Sequence, residues 1–539
     1  MESGRRLPPP SWRREVAILV LLVIGGALPF LNHPFHMDDN FYMDMARNAR
    51  QNPLFPNDLP YVFQGKFYPD MGSHTHPLLV TYFLAVVQHF FGEGPGKEWI
   101  YHVLALVFPV LATVSFYFIS ARFVERPLWP SLFLAVSPLF LVMQHTLMTD
   151  IPTLAFWLGA VAAFLWASDS GGKRLYWASM IFQAAAMFTS YQAFALTLLL
   201  AFYHFRKGGD KKGWLYLVPA PLVVLLWFGL NCLHYQRWLF LGTLGYMQSR
   251  TPLALRVLAT KFFAVLEYHG WFILFPFFIF YLLARGLKGR LLTLVLLSAA
   301  FAAQAWVPDY RWLDKAIFVL GLAAGFFVLL LMARLAYGSF VGTQMSLNFA
   351  KLDGQFLSLW YFGVLFYCIF LLTEGSARYI LPLMPPFLIC YVRVLEIAET
   401  TEYRNPPRLL SAAMQGSGCL VFTLAWGLLL AHADQSFARI YPQAAWDFRQ
   451  AAGSGASFCA GEWGLRYYLG QAGAKPLPSD ETLVAGASYL AVPKMALPYD
   501  LPAGLRSMMI PIQTLSYNVS TPLRVMDWQA PAGFYSSGW

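Results

Sequence analysis

The chain of 539 residues is 58% hydrophobic and 17% aromatic but only 12% charged, and its mean hydropathy is +0.50. A soluble domain carries about 25% charged residues, so this composition excludes a soluble globular protein and predicts an integral membrane protein. The net charge of +10 gives little support for nucleic-acid binding, because polytopic membrane proteins keep an excess of Lys and Arg in their cytoplasmic loops.

Crossing a bilayer takes about 20 apolar residues, and fewer where neighbouring helices shield a short one. Thirteen segments meet this criterion and are predicted to be transmembrane helices. They lie near 16–31, 99–121, 128–145, 149–167, 174–188, 190–205, 214–233, 263–284, 290–307, 315–336, 355–373, 379–395 and 409–431.

The positions of Lys and Arg predict the orientation, since short cytoplasmic loops retain positive charge. They place the N-terminus in the cytoplasm, and they place residues 32–98 (the first loop) and residues 432–539 (the tail) outside. A fourteenth apolar segment, Pro77 to Phe91, would move every later basic loop outside if it crossed the membrane. We therefore interpret it as an interfacial or re-entrant helix.

The apolar runs stop at residue 431, and the tail contains short strand-like and helix-like stretches. Ala456–Cys459 and Leu483–Val492 are predicted strands, and Glu462–Gln471 is a predicted helix. The sequence thus predicts an all-α polytopic membrane domain of about 13 transmembrane helices over residues 1–431. A small C-terminal extracytoplasmic α/β domain is predicted over residues 432–539.

Charged residues from distant parts of the chain are predicted to meet at the outer membrane boundary. Asp38 and Asp39 open the first loop, Asp150 lies between the third and fourth spans, and Arg378 stands at the outer mouth of the twelfth. Adjacent carboxylates at a membrane surface more often serve chemistry than packing. Asp150 is equally well explained as the cap of the fourth span, and Arg378 can also be explained as snorkelling to headgroups.

The loop 234–262 is basic although it is predicted to lie outside. It carries Arg237, Arg250, Arg256 and Lys261 and no acidic residue. Such a patch suits a phosphate headgroup, because Arg offers a forked set of donors and Lys a point charge. Contact with bulk anionic lipid explains it equally well.

A second cluster of polar residues suggests a divalent metal ion as a candidate cofactor. His269 and Glu267 are close in sequence, and His74 in the first loop is a third candidate ligand. Histidine and carboxylate together suit a transition metal. Hydrogen-bonded histidines at the membrane interface are the favoured explanation, and no cofactor is certain.

Five motifs resemble the GT-C superfamily of polytopic, lipid-dependent glycosyltransferases. The nearest branch contains the protein O-mannosyltransferases and the aminoarabinose transferase of lipid A. The motifs are Met37-Asp38-Asp39-Asn40-Phe41-Tyr42 with Ala46-Arg47, His76-Pro77-Leu78, Met148-Thr149-Asp150-Ile151-Pro152, Ala377-Arg378-Tyr379-Ile380-Leu381-Pro382, and Gly461-Glu462-Trp463-Gly464-Leu465-Arg466-Tyr467-Tyr468.

The resemblance implies that the first loop forms interfacial helices over a cavity. It also implies inverting transfer from a polyprenyl-phosphate sugar, with Asp38 as general base and Asp39 orienting substrate or sharing that role. Tyr42, in the same motif, is a candidate substrate-binding residue. His76 stands where some relatives have a lysine, so the donor phosphate is expected to depend more on Arg378 and the basic loop, because histidine holds phosphate only when protonated.

The sequence therefore predicts a glycosyltransferase of the cell envelope. We expect it to act at the outer face of a bacterial cytoplasmic membrane, on a polyprenyl-phosphate sugar donor and a hydroxyl acceptor in a lipid, glycan or protein. The main alternative is a transporter or flippase of a lipid-linked sugar, although transporters tend to show repeated halves and ionisable groups at the membrane midplane. A membrane scaffold ranks last, because it leaves Asp38, Asp39 and Arg378 unexplained.

Overall fold

A computed structural model describes most of the chain. The described residues are 9–63, 65–73, 77–209, 211–242, 245, 255–272, 286–306, 311–342, 347–372, 375–402, 412–477, 488–501, 503–519, 521–526 and 533–535.

Helices dominate the described residues. The α-helices are Trp12–Ala27, Asp39–Ala49, Leu79–Phe91, Glu98–Ala105, Val107–Phe123, Leu128–Val136, Pro138–Met143, Asp150–Ser170, Lys173–Thr189, Phe194–Arg206, Lys211–Trp214, Pro219–His234, Leu255–Gly270, Gly286–Ala303, Trp312–Val341, Lys351–Phe366, Met384–Glu402, Ala412–Ala438, Ile440–Ala452, Trp463–Gln471 and Ala503–Met508. Short 3₁₀ segments cover Leu28–Phe30, Tyr191–Ala193, Gln304–Trp306 and Ala377–Leu383, and a π segment covers Tyr367–Leu371.

The chain is a multi-pass membrane protein. Seven helices within the described ranges are long and apolar enough to cross a bilayer: Glu98–Phe123, Asp150–Ser170, Gly286–Ala303, Trp312–Val341, Lys351–Leu371, Ala377–Ile397 and Gly416–Ala452. Several other predicted spans are shorter helices. The predicted span 128–145, for example, is broken at Ser137-Pro138 into two helices, because proline lacks the N–H that a continuous helix needs.

Charged side chains gather at two opposite ends of the helices. At one end Arg122 donates to Asp169 and Asp353, both at 2.8 Å, and to the hydroxyl of Tyr203 at 2.6 Å. Asp169 and Asp150 lie at the two ends of the helix Asp150–Ser170. At 1.5 Å per residue that helix is about 30 Å long, which is the thickness of the hydrocarbon core.

The first loop folds into two helices and a hairpin at the Asp150 end. Helix Asp39–Ala49 packs on helix Leu79–Phe91, where the Gln88 side chain donates to the carbonyl of Met43 at 2.9 Å. Between them strands β1 (Tyr61–Phe63) and β2 (Lys66–Tyr68) pair antiparallel. Helix Leu79–Phe91 has 13 residues and is about 20 Å long, too short to cross the membrane unaided.

The tail contains a three-stranded parallel sheet. Its strands are β3 (Ala456–Cys459), β4 (Lys475–Pro476) and β5 (Ser488–Ala491), in the order β4-β3-β5. The helix Trp463–Gln471, called here the tail helix, connects β3 to β4. Helices continue from the last membrane-spanning segment to Ala452, and the sheet begins at the predicted strand Ala456–Cys459.

The tail helix packs directly on the start of the first loop. The backbone N–H of Phe35 donates to the hydroxyl of Tyr468 at 3.1 Å, and the Tyr468 hydroxyl donates to Glu98 at 2.9 Å. Gly464 permits this approach, since a Cβ atom there would lie 2.0 Å from the carbonyl oxygen of Phe35 and 2.6 Å from the Tyr441 ring. The contact requires glycine at that position.

We expect Gly464→Ala to destabilise the protein by about 3 kcal/mol, because the added methyl group collides with backbone that cannot move aside easily. Gly470→Ala is the matched control in the same helix, where a Cβ atom meets nothing within 4 Å. The control should raise stability by up to about 1 kcal/mol, since alanine favours helix over glycine. Thermal unfolding of the detergent-purified variants measures both changes, and equal midpoints would refute the tight contact.

Candidate active site

An acid and a base from opposite ends of the sequence meet beside the first loop. One carboxylate oxygen of Asp38 lies 3.4 Å from Nη1 of Arg378, and the Asp38 side chain is 41% exposed whereas that of Arg378 is 10% exposed. Arg378 also donates to the hydroxyl of Tyr379 at 3.0 Å, with its guanidinium 4.9 Å above the Tyr379 ring. The guanidinium is therefore fixed, while the carboxylate remains accessible.

The backbone at this position is strained. Met37, immediately before Asp38, has a φ of +48°, a left-handed conformation that side chains with a Cβ rarely adopt. Such strain persists only where surrounding contacts impose it, and it is common at functional sites. A hydrogen bond from the backbone N–H of His36 to the carboxylate of Asp39 spans Met37 and imposes it here.

Asp39 is fully buried and joins two segments of backbone. Its two carboxylate oxygens accept from the backbone N–H groups of His36 and Leu147, both at 2.9 Å. Burial raises the pKa of Asp39 to about 7, against the opposing effect of these two hydrogen bonds. Asp39 thus holds the first loop to the segment before Asp150, and its oxygens are already occupied.

A buried cluster around Asp434 fixes the residues before Met37. His33 lies 3.1 Å from one carboxylate oxygen of Asp434, and His36 lies 3.4 Å from the other. The Tyr535 hydroxyl is 3.3 Å from Asp434, and all four side chains are almost completely buried. Asp434 is not among the predicted site residues, because the last apolar run ends at residue 431 in the sequence, whereas the helix continues to Ala438.

Tyr42 and Asp150 complete the group. The Tyr42 hydroxyl is hydrogen-bonded to Thr149, and burial, followed by the charge of Asp38, raises the pKa of Tyr42 well above its usual value. Asp150 is the first residue of its helix and interacts electrostatically with both Arg378 and Asp38. The structure thus brings together four of the predicted site residues: Asp38, Tyr42, Asp150 and Arg378.

The described cations of the basic loop have different surroundings. Lys261 is 2% exposed, and its ammonium group donates to the carbonyls of Ile369 and Leu372 at the end of a neighbouring helix. Arg237 pairs with Asp70 in the first loop, and Arg256 is exposed. Lys261 therefore satisfies backbone carbonyls inside the protein instead of facing lipid, and Arg250 lies outside the described residues.

The two candidate metal ligands that the structure describes, Glu267 and His269, do not converge. Glu267 and His269 are two residues apart on one helix, about 200° around its axis, so their side chains face different neighbours. The His269 ring contacts Tyr361 and Phe272, with centroids 5.6 and 4.9 Å away. Among the residues described, no group of three His, Cys, Asp or Glu side chains could hold a metal. His74 and His76 lie outside those residues.

The burial of Asp39 leads to a prediction about pH. The unfolded carboxyl group titrates near pH 4 and the folded one near pH 7, so between these values only the folded protein holds the proton. Stability should therefore fall as pH rises through this window, by at most about 1.4 kcal/mol per pH unit, and then level off.

Asp39→Asn removes this titration, so its unfolding midpoint should depend less on pH between about 4 and 7 than that of wild type. Thermal unfolding of both proteins across that range measures the difference. Identical slopes would contradict the raised pKa.

Comparison with known proteins bears on the fold. No protein-family model and no curated protein sequence matches the chain. The crystal structure of the Archaeoglobus fulgidus oligosaccharyltransferase in complex with Zn and sulfate is similar, with a TM-score of 0.51 and 14% identity over 86% of this chain and 62% of that one.

Two further similar structures score lower. The archaeal oligosaccharyltransferase AglB from Archaeoglobus fulgidus, in complex with an inhibitory peptide and a dolichol-phosphate, has a TM-score of 0.45 and 13% identity over 87% of this chain and 60% of that one. ArnT from Cupriavidus metallidurans bound to undecaprenyl phosphate has a TM-score of 0.44 and 14% identity over 85% of this chain and 84% of that one. At these identities the likeness concerns the fold alone. The chain has the fold of the oligosaccharyltransferase with the TM-score of 0.51, which agrees with the fold that the resemblance of its motifs implies.

Proposed function

We propose that the protein is an inverting glycosyltransferase. It moves a monosaccharide from a polyprenyl-phosphate donor to a hydroxyl acceptor at the outer face of the cytoplasmic membrane, with Asp38 as general base. The observation that carries this proposal is the pairing of an accessible carboxylate, Asp38, with a fixed guanidinium, Arg378, at one end of the helices. The fold, shared with an oligosaccharyltransferase, supports a sugar-transfer reaction.

The two charges match the two requirements of the reaction. Asp38 takes the proton of the acceptor hydroxyl while that oxygen attacks the anomeric carbon. The bond from the anomeric carbon to the phosphate oxygen breaks, and its electron pair leaves with the polyprenyl phosphate. A single displacement inverts the anomeric configuration. A phosphate leaving group needs little acid assistance, whereas an alcohol nucleophile needs a positioned carboxylate.

Arg378 is assigned to the donor phosphate. Its guanidinium donates through several N–H groups, and phosphate accepts such bonds in pairs. Tyr42 and Asp150, which adjoin the pair, are assigned to substrate binding. Asp39 is a positioning residue in this proposal, because its carboxylate is buried and occupied by backbone amides.

The proposed location follows from the arrangement of charge. The Arg122 cluster is assigned to the cytoplasmic side and the Asp38–Arg378 pair to the outer side, with the N-terminus in the cytoplasm and the tail outside. The acceptor is a hydroxyl of a lipid, a glycan or a protein.

Asp38→Asn should abolish transfer, because an amide cannot accept the acceptor proton. Mass spectrometry of polyprenyl-phosphate glycolipids from host membranes should then show one lipid-linked sugar accumulating, which would also identify the donor. Asp58→Asn, which changes an exposed carboxylate of the same loop, is the matched control and should leave the lipids as in wild type. An unchanged profile in the Asp38 variant at equal expression would favour the transporter instead.

Arg378→Lys tests the phosphate assignment separately. Lysine keeps the positive charge but loses the planar fork that contacts both Asp38 and Tyr379. We expect about tenfold slower glycolipid turnover, and a larger loss for Arg378→Gln, which also removes the charge. Equal rates in the lysine variant and wild type would show that the fork geometry is not needed.

A further inference from the structure

A cavity of about 140 Å³ lies between the tail and the membrane helices. This is several times the share of a single water molecule, roughly 30 Å³. Its wall is mostly apolar and is built from four helices, from the tail segments 522–526 and 533–534, and from Ala377. The cavity therefore adjoins the segment whose next residue is Arg378.

Two polar atoms on residues that line the cavity have no hydrogen-bond partner among the described residues. They are Oε2 of Glu267 and Nε1 of Trp271, and both are buried. The two side chains meet above Gly321, where a Cβ atom would lie 2.2 Å from Nε1 of Trp271 and 3.0 Å from Cγ of Glu267. Buried polar groups in native proteins are nearly always bonded, so this pair indicates an occupant other than the residues that the structure describes.

The two atoms define what that occupant must offer. An indole N–H only donates, while a carboxylate oxygen accepts, so a hydroxyl group could bond to both at once. The Trp271 ring is also stacked on the Trp426 ring, with centroids 5.3 Å apart and planes at 25°. Aromatic surface with a few polar groups is the usual lining of a small-molecule site. A sugar ring, with hydroxyls at its rim and C–H groups on its faces, meets both conditions.

The tail forms part of the wall of this cavity. Arg524 of the tail donates to Asp314 at 2.7 Å at the start of the helix Trp312–Val341. The Tyr268 hydroxyl contacts Gly533, and the Ser376 hydroxyl donates to the carbonyl of Phe534. The tail is thus bound to the same short segment that carries Ala377 and Arg378.

We propose that this cavity is a sugar-binding subsite in which Glu267 and Trp271 share one hydroxyl of a pyranose or furanose ring. The inference rests on the proposed glycosyltransferase function and adds a substrate contact outside the Asp38–Arg378 pair. The ring belongs either to the donor or to a glycan or glycolipid acceptor.

The test uses the full-length protein in nanodiscs and a panel of methyl glycosides: a hexoside, a pentoside, an N-acetylhexosaminide and an aminohexoside. Saturation-transfer NMR measures their binding. We expect at least one glycoside to bind wild type, with affinity reduced about tenfold by Glu267→Met and about fivefold by Trp271→Phe. Trp446→Phe, at an exposed tryptophan, is the matched control and should bind as wild type.

Thermal unfolding separates lost binding from misfolding. Glu267→Met replaces an unsatisfied buried carboxylate with an apolar chain of similar length, so its midpoint should equal or exceed that of wild type while its sugar affinity falls. No binding by wild type to any glycoside, or equal binding by wild type and both variants, would overturn the proposal and leave a cavity filled by water.

Competition identifies the source of the sugar. The competitor is the lipid-linked sugar that accumulates in the Asp38→Asn membranes. If it displaces the glycoside, the subsite holds the donor sugar, and if the glycoside stays bound, the subsite holds an acceptor sugar. If no lipid-linked sugar accumulates, the proposed transferase function is refuted. The glycoside titrations with Glu267→Met and Trp271→Phe still test whether the cavity binds a sugar.

Discussion

The buried carboxylate of Asp434 is the interaction on which the site depends. It lies between two histidines of the chain that leaves the first helix, in a region with almost no solvent. Removing one member of a buried charged group leaves its partner unsatisfied, which is strongly destabilising. Asp434 therefore fixes the strained backbone at Met37, and through it the position of Asp38, against the last long helix.

The tail reinforces the same arrangement from the other side. Arg466 donates to the carbonyl of Val62 and to Glu462, and its guanidinium lies 4.2 Å above the Tyr61 ring. Glu462 in turn accepts from the Tyr499 hydroxyl at 2.6 Å. These contacts, called here the tail clamp, are nearly buried, so solvent screens them little. The first loop is thus held between the membrane helices and the tail.

Much of the site was predictable because its chemistry is local in sequence. The Asp38-Asp39 pair, Asp150 and Arg378 each stand at the edge of an apolar run, and such edges can be read from composition. The strand Ala456–Cys459 was predicted with the observed bounds, and the tail helix to within one residue. Hydrophobic periodicity and helix capping depend on residues that are close in sequence, so these elements can be predicted from the sequence.

What the sequence could not show depends on contacts between distant residues. Asp38 and Asp39 are adjacent residues of the same type, so the sequence does not distinguish their roles. In the structure the carboxylate of Asp39 is buried against Leu147, whereas that of Asp38 is accessible. The sequence predicts a surface cation at Lys261, whereas in the structure its ammonium group donates to the carbonyls of residues more than 100 positions away. Short helices broken by proline likewise obscured the boundaries of the spans.

The tail clamp has a consequence for membrane insertion. Residues 61 and 466 touch, so both lie on the same side of the bilayer, and the chain between them must cross it an even number of times. A chain that gained or lost one crossing during insertion would leave the two halves of the clamp, and the sheet behind it, in separate compartments. Correct topology is therefore a precondition for a stable first loop, and misinserted chains are distinguished by an unanchored loop that quality-control proteases can reach.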